Sequence, residues 1–197
     1  MKHLLTLWML ALCLCVSAKE TCPKVIPALQ EWKGGSGKLV LPAEGSIVVA
    51  PADEAALKSV ATVLAQDLKD LLDWNYTIRT GKPGKNDIYL SLMKPDKQLG
   101  EEGYVLTAGR YAGIEAPARQ GAFWGTRSLL QILYNEKGQL PKGVARDWPQ
   151  YPSRGFMLDV GRKFFTMDFL RQYVKILSFY KLNEFRIHLN DNGFVQF

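Results

Sequence analysis

Little in this sequence could cross-link it. Its 197 residues hold three cysteines and two histidines, too few and too scattered for a disulfide framework or a zinc site. Cys13 and Cys15 fall within the first eighteen residues, which read as a segment to be removed. Met1-Lys2-His3 is a short basic start, Leu4 to Val16 is almost unbroken apolar sequence, and Val16-Ser17-Ala18 offers small residues for cleavage before Lys19. That is the layout of a secretory signal peptide, and the apolar run is short for a bilayer span. Leu12, Leu14 and Thr21 stand before the three cysteines, where lipoprotein processing wants a small residue. Only Cys22 is left after cleavage, so no internal disulfide can form and the core must hold the mature protein.

Clustered charge is missing as well. Loss of Lys2, with no acid in the same segment, lowers the formal net charge from +6 to +5. There is no run of five like charges and no interleaving of aromatic with basic residues, so no nucleic-acid partner is expected. Low-complexity linkers and internal repeats are absent too. The mature length suits a small domain followed by part of a larger one.

What is present reads as mixed strand and helix. Lys38 to Leu41 and Ser46 to Ala50, with Pro42 and Gly45 between them, predict a hairpin. Asp53 is the expected N-cap of a helix whose stripe is Leu57, Val60, Ala61, Leu64, Leu68, Leu71 and Leu72. Tyr76 to Arg79, Asp87 to Leu92, Tyr104 to Thr107 and Ala112 to Glu115 predict four further strands, and Gly121 to Tyr134 a second helix. The expectation for residues 19–150 is a small α+β domain with helices over one face of a sheet.

The rhythm changes after Pro149 and Pro152. Gly155 to Val160 reads as a strand. Thr166 caps a helix with Leu170, Tyr173, Val174, Leu177 and Tyr180 on its apolar face, and Glu184 to Leu189 reads as the next strand. That is a βαβ unit with parallel strands. Two parallel strands and one helix cannot close a barrel or cover both faces of a sheet. Residues 151–197 are therefore expected to be the start of a truncated barrel.

The second of these strands carries the chemistry. Phe185, Ile187 and Leu189 alternate with Glu184, Arg186, His188 and Asn190. Parallel strands are normally apolar on both faces, so a wholly polar face must meet a hydrogen-bond network or a ligand. Asp191 follows at the carboxyl end, where barrels place their working groups. Glu184 and Arg186 are expected in an internal network, for example paired between neighbouring strands. His188 reads equally as a core histidine or a site residue, and Asp159 equally as an ion-pair partner of Arg162 or a site residue.

Two stretches resemble a known family. Tyr151-Pro-Ser-Arg154-Gly155-Phe-Met-Leu-Asp159-Val-Gly-Arg162-Lys-Phe-Phe165 resembles the first barrel strand of family 20 glycoside hydrolases, Y-R-G-x-x-L-D-x-A-R-x-F. Tyr180-Lys-Leu-Asn183-Glu-Phe-Arg-Ile-His188-Leu-Asn-Asp191 is similar to the second, K-x-N-x-x-x-x-H-L-x-D-D. Gly121 to Leu133 is similar to the helix that closes the small domain ahead of such barrels.

The resemblance implies an α+β front domain, the first βαβ part of a (β/α)8 TIM barrel, and an exo-acting β-N-acetylhexosaminidase that releases terminal N-acetylglucosamine or N-acetylgalactosamine from glycans. It also implies substrate-assisted retaining hydrolysis: the 2-acetamido oxygen attacks the anomeric carbon, a glutamic acid protonates the leaving oxygen and an aspartate orients the acetamido group. That acidic pair belongs to a later strand, so this chain alone is expected to be inactive. No cofactor and no metal are implied. Arg154 matches an arginine that grips sugar hydroxyls, and Asp191 an aspartate that tunes the acid through a histidine. Asn192 departs from the family's second aspartate, and Gly193-Phe-Val-Gln from its glutamine-glycine-tryptophan run. The alternatives are another barrel glycosidase with the same front domain, or a non-catalytic carbohydrate-binding remnant with Trp124 and Trp148 as platforms. The expected destination is the periplasm or the exterior.

Overall fold

The computed structural model describes residues 21–190. The expected signal peptide, with Cys13 and Cys15, and the positions Asp191 and Asn192 lie outside the described residues. Along the chain run β1 (Glu31–Val40), β2 (Glu44–Val49), a 3-10 turn at Pro51–Asp53, α1 (Glu54–Leu72), β3 (Asn75–Thr80), β4 (Ile88–Leu92), β5 (Tyr104–Ala108), β6 (Ala112–Ala116), α2 (Arg119–Asn135) and β7 (Gln139–Asp147). After these come β8 (Gly155–Asp159), α3 (Met167–Phe179) and β9 (Glu184–His188).

The first seven strands form one sheet in the order β1-β7-β5-β6-β4-β2-β3. Its half with β6, β4, β2 and β3 is parallel, and its half with β1, β7, β5 and β6 is antiparallel. The hairpin expected between Lys38 and Ala50 does not form. β1 pairs with β7 at one side of the sheet, whereas β2 runs parallel between β3 and β4 near the other. The reason is visible in β2 itself: Ile47, Val48 and Val49 are all buried, the continuous apolar run of an interior parallel strand rather than one arm of a two-faced hairpin.

Helices α1 and α2 pack against each other and the sheet. On α1 the expected stripe is the buried one through Leu57, Val60, Ala61, Leu64 and Leu68, while Leu71 in the last turn stays 43 % exposed. Asp53 precedes α1 but does not cap it through its side chain. Its carboxylate instead accepts the Leu92 N–H of β4 at 2.8 Å. Two glycines of helix α2 leave no room for a side chain where they face their neighbours. A Cβ on Gly121 would fall 2.1 Å from the Gly103 carbonyl oxygen, and one on Gly125 would fall 2.6 Å from the Ile114 side chain. Between the helices the Arg127 guanidinium meets Asp67 at 2.5 Å, both largely buried, and lies over the Phe123 ring.

β8 and β9 form a separate two-stranded parallel sheet, with α3 as its crossover. Thr166 caps α3 as expected, its Oγ1 accepting the Phe169 N–H at 3.2 Å. Tyr173 packs against Phe156 and Phe185 and Leu177 is buried, but Val174 and Tyr180 of the expected apolar face are 48 % and 40 % exposed. No helix among the described residues is long and apolar enough to cross a membrane.

Candidate functional site

Strand alternation and register gather the polar residues of β8 and β9 on one face. Gly155 stands opposite Glu184, Met157 opposite Arg186, and Asp159 opposite His188. The other face carries Phe156, Leu158, Phe185 and Ile187 toward α3, as a period of two requires. Asp159 and His188 are thus cross-strand neighbours at the carboxyl ends of their strands, where a barrel would place its site. The Asp159 carboxylate accepts the Gly161 N–H at 2.9 Å and lies 3.6 Å from Arg162 Nε, so the expected Asp159–Arg162 ion pair is present. The chains beyond the two strands stay together, since Val160 N–H donates to the His188 carbonyl at 3.0 Å.

Further back on the same face, Glu184 accepts from Ser153 Oγ at 2.7 Å and from Arg186 at 3.0 Å. Those two bonds, Ser153 first, hold its carboxyl below the usual carboxylate range. The Glu184–Arg186 network exists, but along one strand at i and i+2 rather than between neighbouring strands.

Arg154 sits at the opposite, amino-terminal end of β8, roughly 16 Å of extended chain from Asp159. Its guanidinium is committed to the protein. Nη2 meets Glu102 at 2.6 Å, Nε donates to the Lys181 carbonyl at 2.8 Å and Nη1 to the Tyr151 carbonyl at 2.8 Å. Its carbon lies 5.5 Å from the centre of the Trp124 ring. Asn183 completes this knot, accepting the Arg154 N–H and donating to the Pro152 carbonyl, each at 2.8 Å.

Beside it is a buried polar cluster that the sequence did not reveal. Lys181 Nζ donates to Asp147 and to Tyr104 Oη, both at 2.8 Å. Tyr104 gives its own proton to Asp147 at 2.5 Å, so Ser128 Oγ, 2.6 Å away, donates to the phenol oxygen. Burial, then the Asp147 charge, pushes the Tyr104 phenol well above its ordinary value. Burial pulls Lys181 down, with Asp147 acting against it. Lys181 occupies the left-handed position after α3, φ 60°, with Leu182 N–H returning to the Leu177 carbonyl and Lys181 N–H to Ser178. That is the bonding of a Schellman cap, where glycine is the usual occupant. Nothing local marks Lys181 as a buried residue; its side-chain partners come from β5 and β7. Glu102 was equally illegible, one of two adjacent acids in a turn.

A small mixed-sheet domain leading into a parallel βαβ unit with one polar face is the layout of a barrel-type glycoside hydrolase. The chain belongs to glycosyl hydrolase family 20: the family model described as domain 2 matches residues 22–148, and that of the catalytic domain matches residues 151–195. It is 34 % identical over 147 residues to the β-hexosaminidase of Porphyromonas gingivalis, covering 69 % of this chain and 19 % of that protein. With the lacto-N-biosidase of Bifidobacterium bifidum it shares 31 % identity over 166 residues, 83 % of this chain and 14 % of that protein. The chain thus spans about a fifth or less of the length of these relatives. The β-N-acetylhexosaminidase of Streptomyces coelicolor superposes with a TM-score of 0.75 at 28 % identity, over 88 % of this chain and 36 % of that one. A mutant Streptomyces plicatus β-hexosaminidase in complex with product GlcNAc gives 0.77 at 28 % identity, over 91 % and 37 %.

Proposed function

We propose that this chain supplies the front domain and first barrel strands of an exo-acting β-N-acetylhexosaminidase that releases terminal N-acetylglucosamine or N-acetylgalactosamine by substrate-assisted retaining hydrolysis. The carrying observation is the series of two family 20 matches, the second of which includes the polar strand face of β9. On this reading the sugar end of the site is the carboxyl end of β8 and β9, where Asp159, Arg162 and His188 meet, with Asp191 next in sequence. Arg154, at the other end, stays the proposed ligand of the sugar hydroxyls, and through Glu102 it also fastens the βαβ unit to the small domain. The test is hydrolysis of p-nitrophenyl N-acetyl-β-glucosaminide by the 197-residue chain and by the chain extended along its reading frame. The extended protein is expected to turn over and the shorter chain not to. In the active form Asp191→Asn should lower kcat/KM by roughly 10²-fold or more. An extended protein that leaves this substrate intact overturns the reading. Similarity to lacto-N-biosidase makes a lacto-N-bioside the second candidate substrate, assayed in parallel.

The protein is further proposed to be exported through residues 1–18. N-terminal sequencing of secreted protein is expected to begin at Lys19, and a product retaining Met1 would refute export by this route.

A further inference from the structure

Asn75-Tyr76-Thr77, the first three residues of β3, has the pattern of an N-glycosylation acceptor: asparagine, any residue but proline, then threonine. None of the other five asparagines has serine or threonine two places on. So short a pattern recurs by chance, and its surroundings decide. α1 ends at Leu72, and Asp73 takes the left-handed conformation at φ 57°, its N–H returning to the Leu68 and Lys69 carbonyls. Asn75 therefore stands where the chain turns from helix into strand. β3 pairs with β2 alone, as the terminal strand of the seven-stranded sheet. Five of its six residues are exposed, and Tyr76 is the buried one. Asn75 and Thr77 share the face opposite Tyr76, as a period of two requires. The Asn75 amide makes no side-chain hydrogen bond among the described residues, and the Thr77 hydroxyl makes one long bond, 3.4 Å to the Gly45 carbonyl. Amide and hydroxyl thus lie side by side in solvent. The edge itself is bare: open backbone groups along such a strand invite pairing with another chain, Ile78 is 40 % exposed, and the one charge of β3, Arg79, is tied to Asp87. A bulky, solvated group at the first residue of β3 would cover that edge.

We infer that Asn75 is the acceptor of an N-linked oligosaccharide carried by a lipid diphosphate donor. Asn75 Nδ2 attacks the anomeric carbon of the donor's first sugar. The N–C bond forms, the bond from that carbon to the phosphate oxygen breaks, and the lipid diphosphate leaves with the electron pair while the amide proton passes to a base of the transferase. The inference rests on the export reading, because this modification belongs to secreted chains, and it makes no use of the hydrolase reading.

Expression of the full 197-residue chain in a secretory host with an oligosaccharyltransferase tests it, by mass spectrometry of the secreted product. A glycan is expected on the peptide that holds Asn75, and its release by peptide N-glycosidase should leave an aspartate at that position. Asn75→Gln and Thr77→Ala are each expected to abolish the glycan. Thr77→Ser, which keeps the hydroxyl, is expected to retain it, which separates loss of the acceptor from a folding fault. Secreted protein with Asn75 bare overturns the inference, and so does a glycan that survives Asn75→Gln. The same 197 residues behind a leader of proven function are run in parallel. Failure of residues 1–18 as a signal then refutes export alone, while a bare Asn75 in the protein secreted by the second leader overturns the acceptor.

Discussion

Lys181→Met is expected to destabilise the folded chain by about 3–5 kcal/mol, the cost of leaving one member of a buried ion pair without its partner. Asp147 would keep the Tyr104 hydroxyl and the Gln30 N–H as donors, but its charge, 7 % exposed, would lose the only cation within salt-bridge distance among the described residues. Urea unfolding followed by circular dichroism measures the loss. Lys175→Met is the control. Lys175 makes an ion pair of the same 2.8 Å length with Asp70, but the two side chains are 59 % and 40 % exposed, and such pairs contribute under about 1 kcal/mol. Equal effects of the two substitutions would show that the Lys181 pair is not buried in solution. Asp147→Asn with Lys181→Met should cost less than the sum of the single changes, because the second removes the charge that the first stranded.

Arg154→Ala is expected to cost about 2–3 kcal/mol, since the charged bond to Glu102 and two bonds to carbonyl oxygens disappear together. Arg154→Lys should restore little of it. A point charge cannot reach Glu102, the Lys181 carbonyl and the Tyr151 carbonyl at once, as a planar fork does. Because Arg154 ties β8 to Glu102 ahead of β5, the variant should also be cut faster by protease between Trp148 and Ser153. A variant with unchanged stability and cleavage, but with weakened sugar binding in an active extended protein, would leave Arg154 the role of sugar ligand alone.

These two residues show where sequence reading succeeds and where it stops. The helices were legible because apolar residues at spacings of three and four have one physical use, and α1, α2 and α3 lie within a few residues of their expected bounds. Strands β3 to β6 were legible as short β-rich runs separated by Gly, Pro and Asn turns. β7 was not read as a strand, because Pro141 and Gly143 interrupt its pattern. Gly143 is needed there: a Cβ would meet the Lys33 carbonyl and the Trp32 ring of β1 within 2.7 Å, an approach fixed by the neighbouring strand. The polar face of β9 could be seen in the alternation of Glu184, Arg186 and His188. That Asp159 stands opposite His188 follows only from the register between strands.

The sequence by itself therefore determined the family, the mixed α+β character of the front domain, and the βαβ unit with its one polar face. All are carried by residues near one another in the chain. Tertiary structure alone decided that β2 joins β3 and β4 instead of turning back on β1. It also set Lys181 against Asp147 and Tyr104, separated from them by 34 and 77 residues, and turned Arg154 toward Glu102, 52 residues away. Local propensity places glycine where Lys181 stands and says nothing of which acid a lone arginine meets. Buried charges answer to their partners, and a partner is a fact of three dimensions.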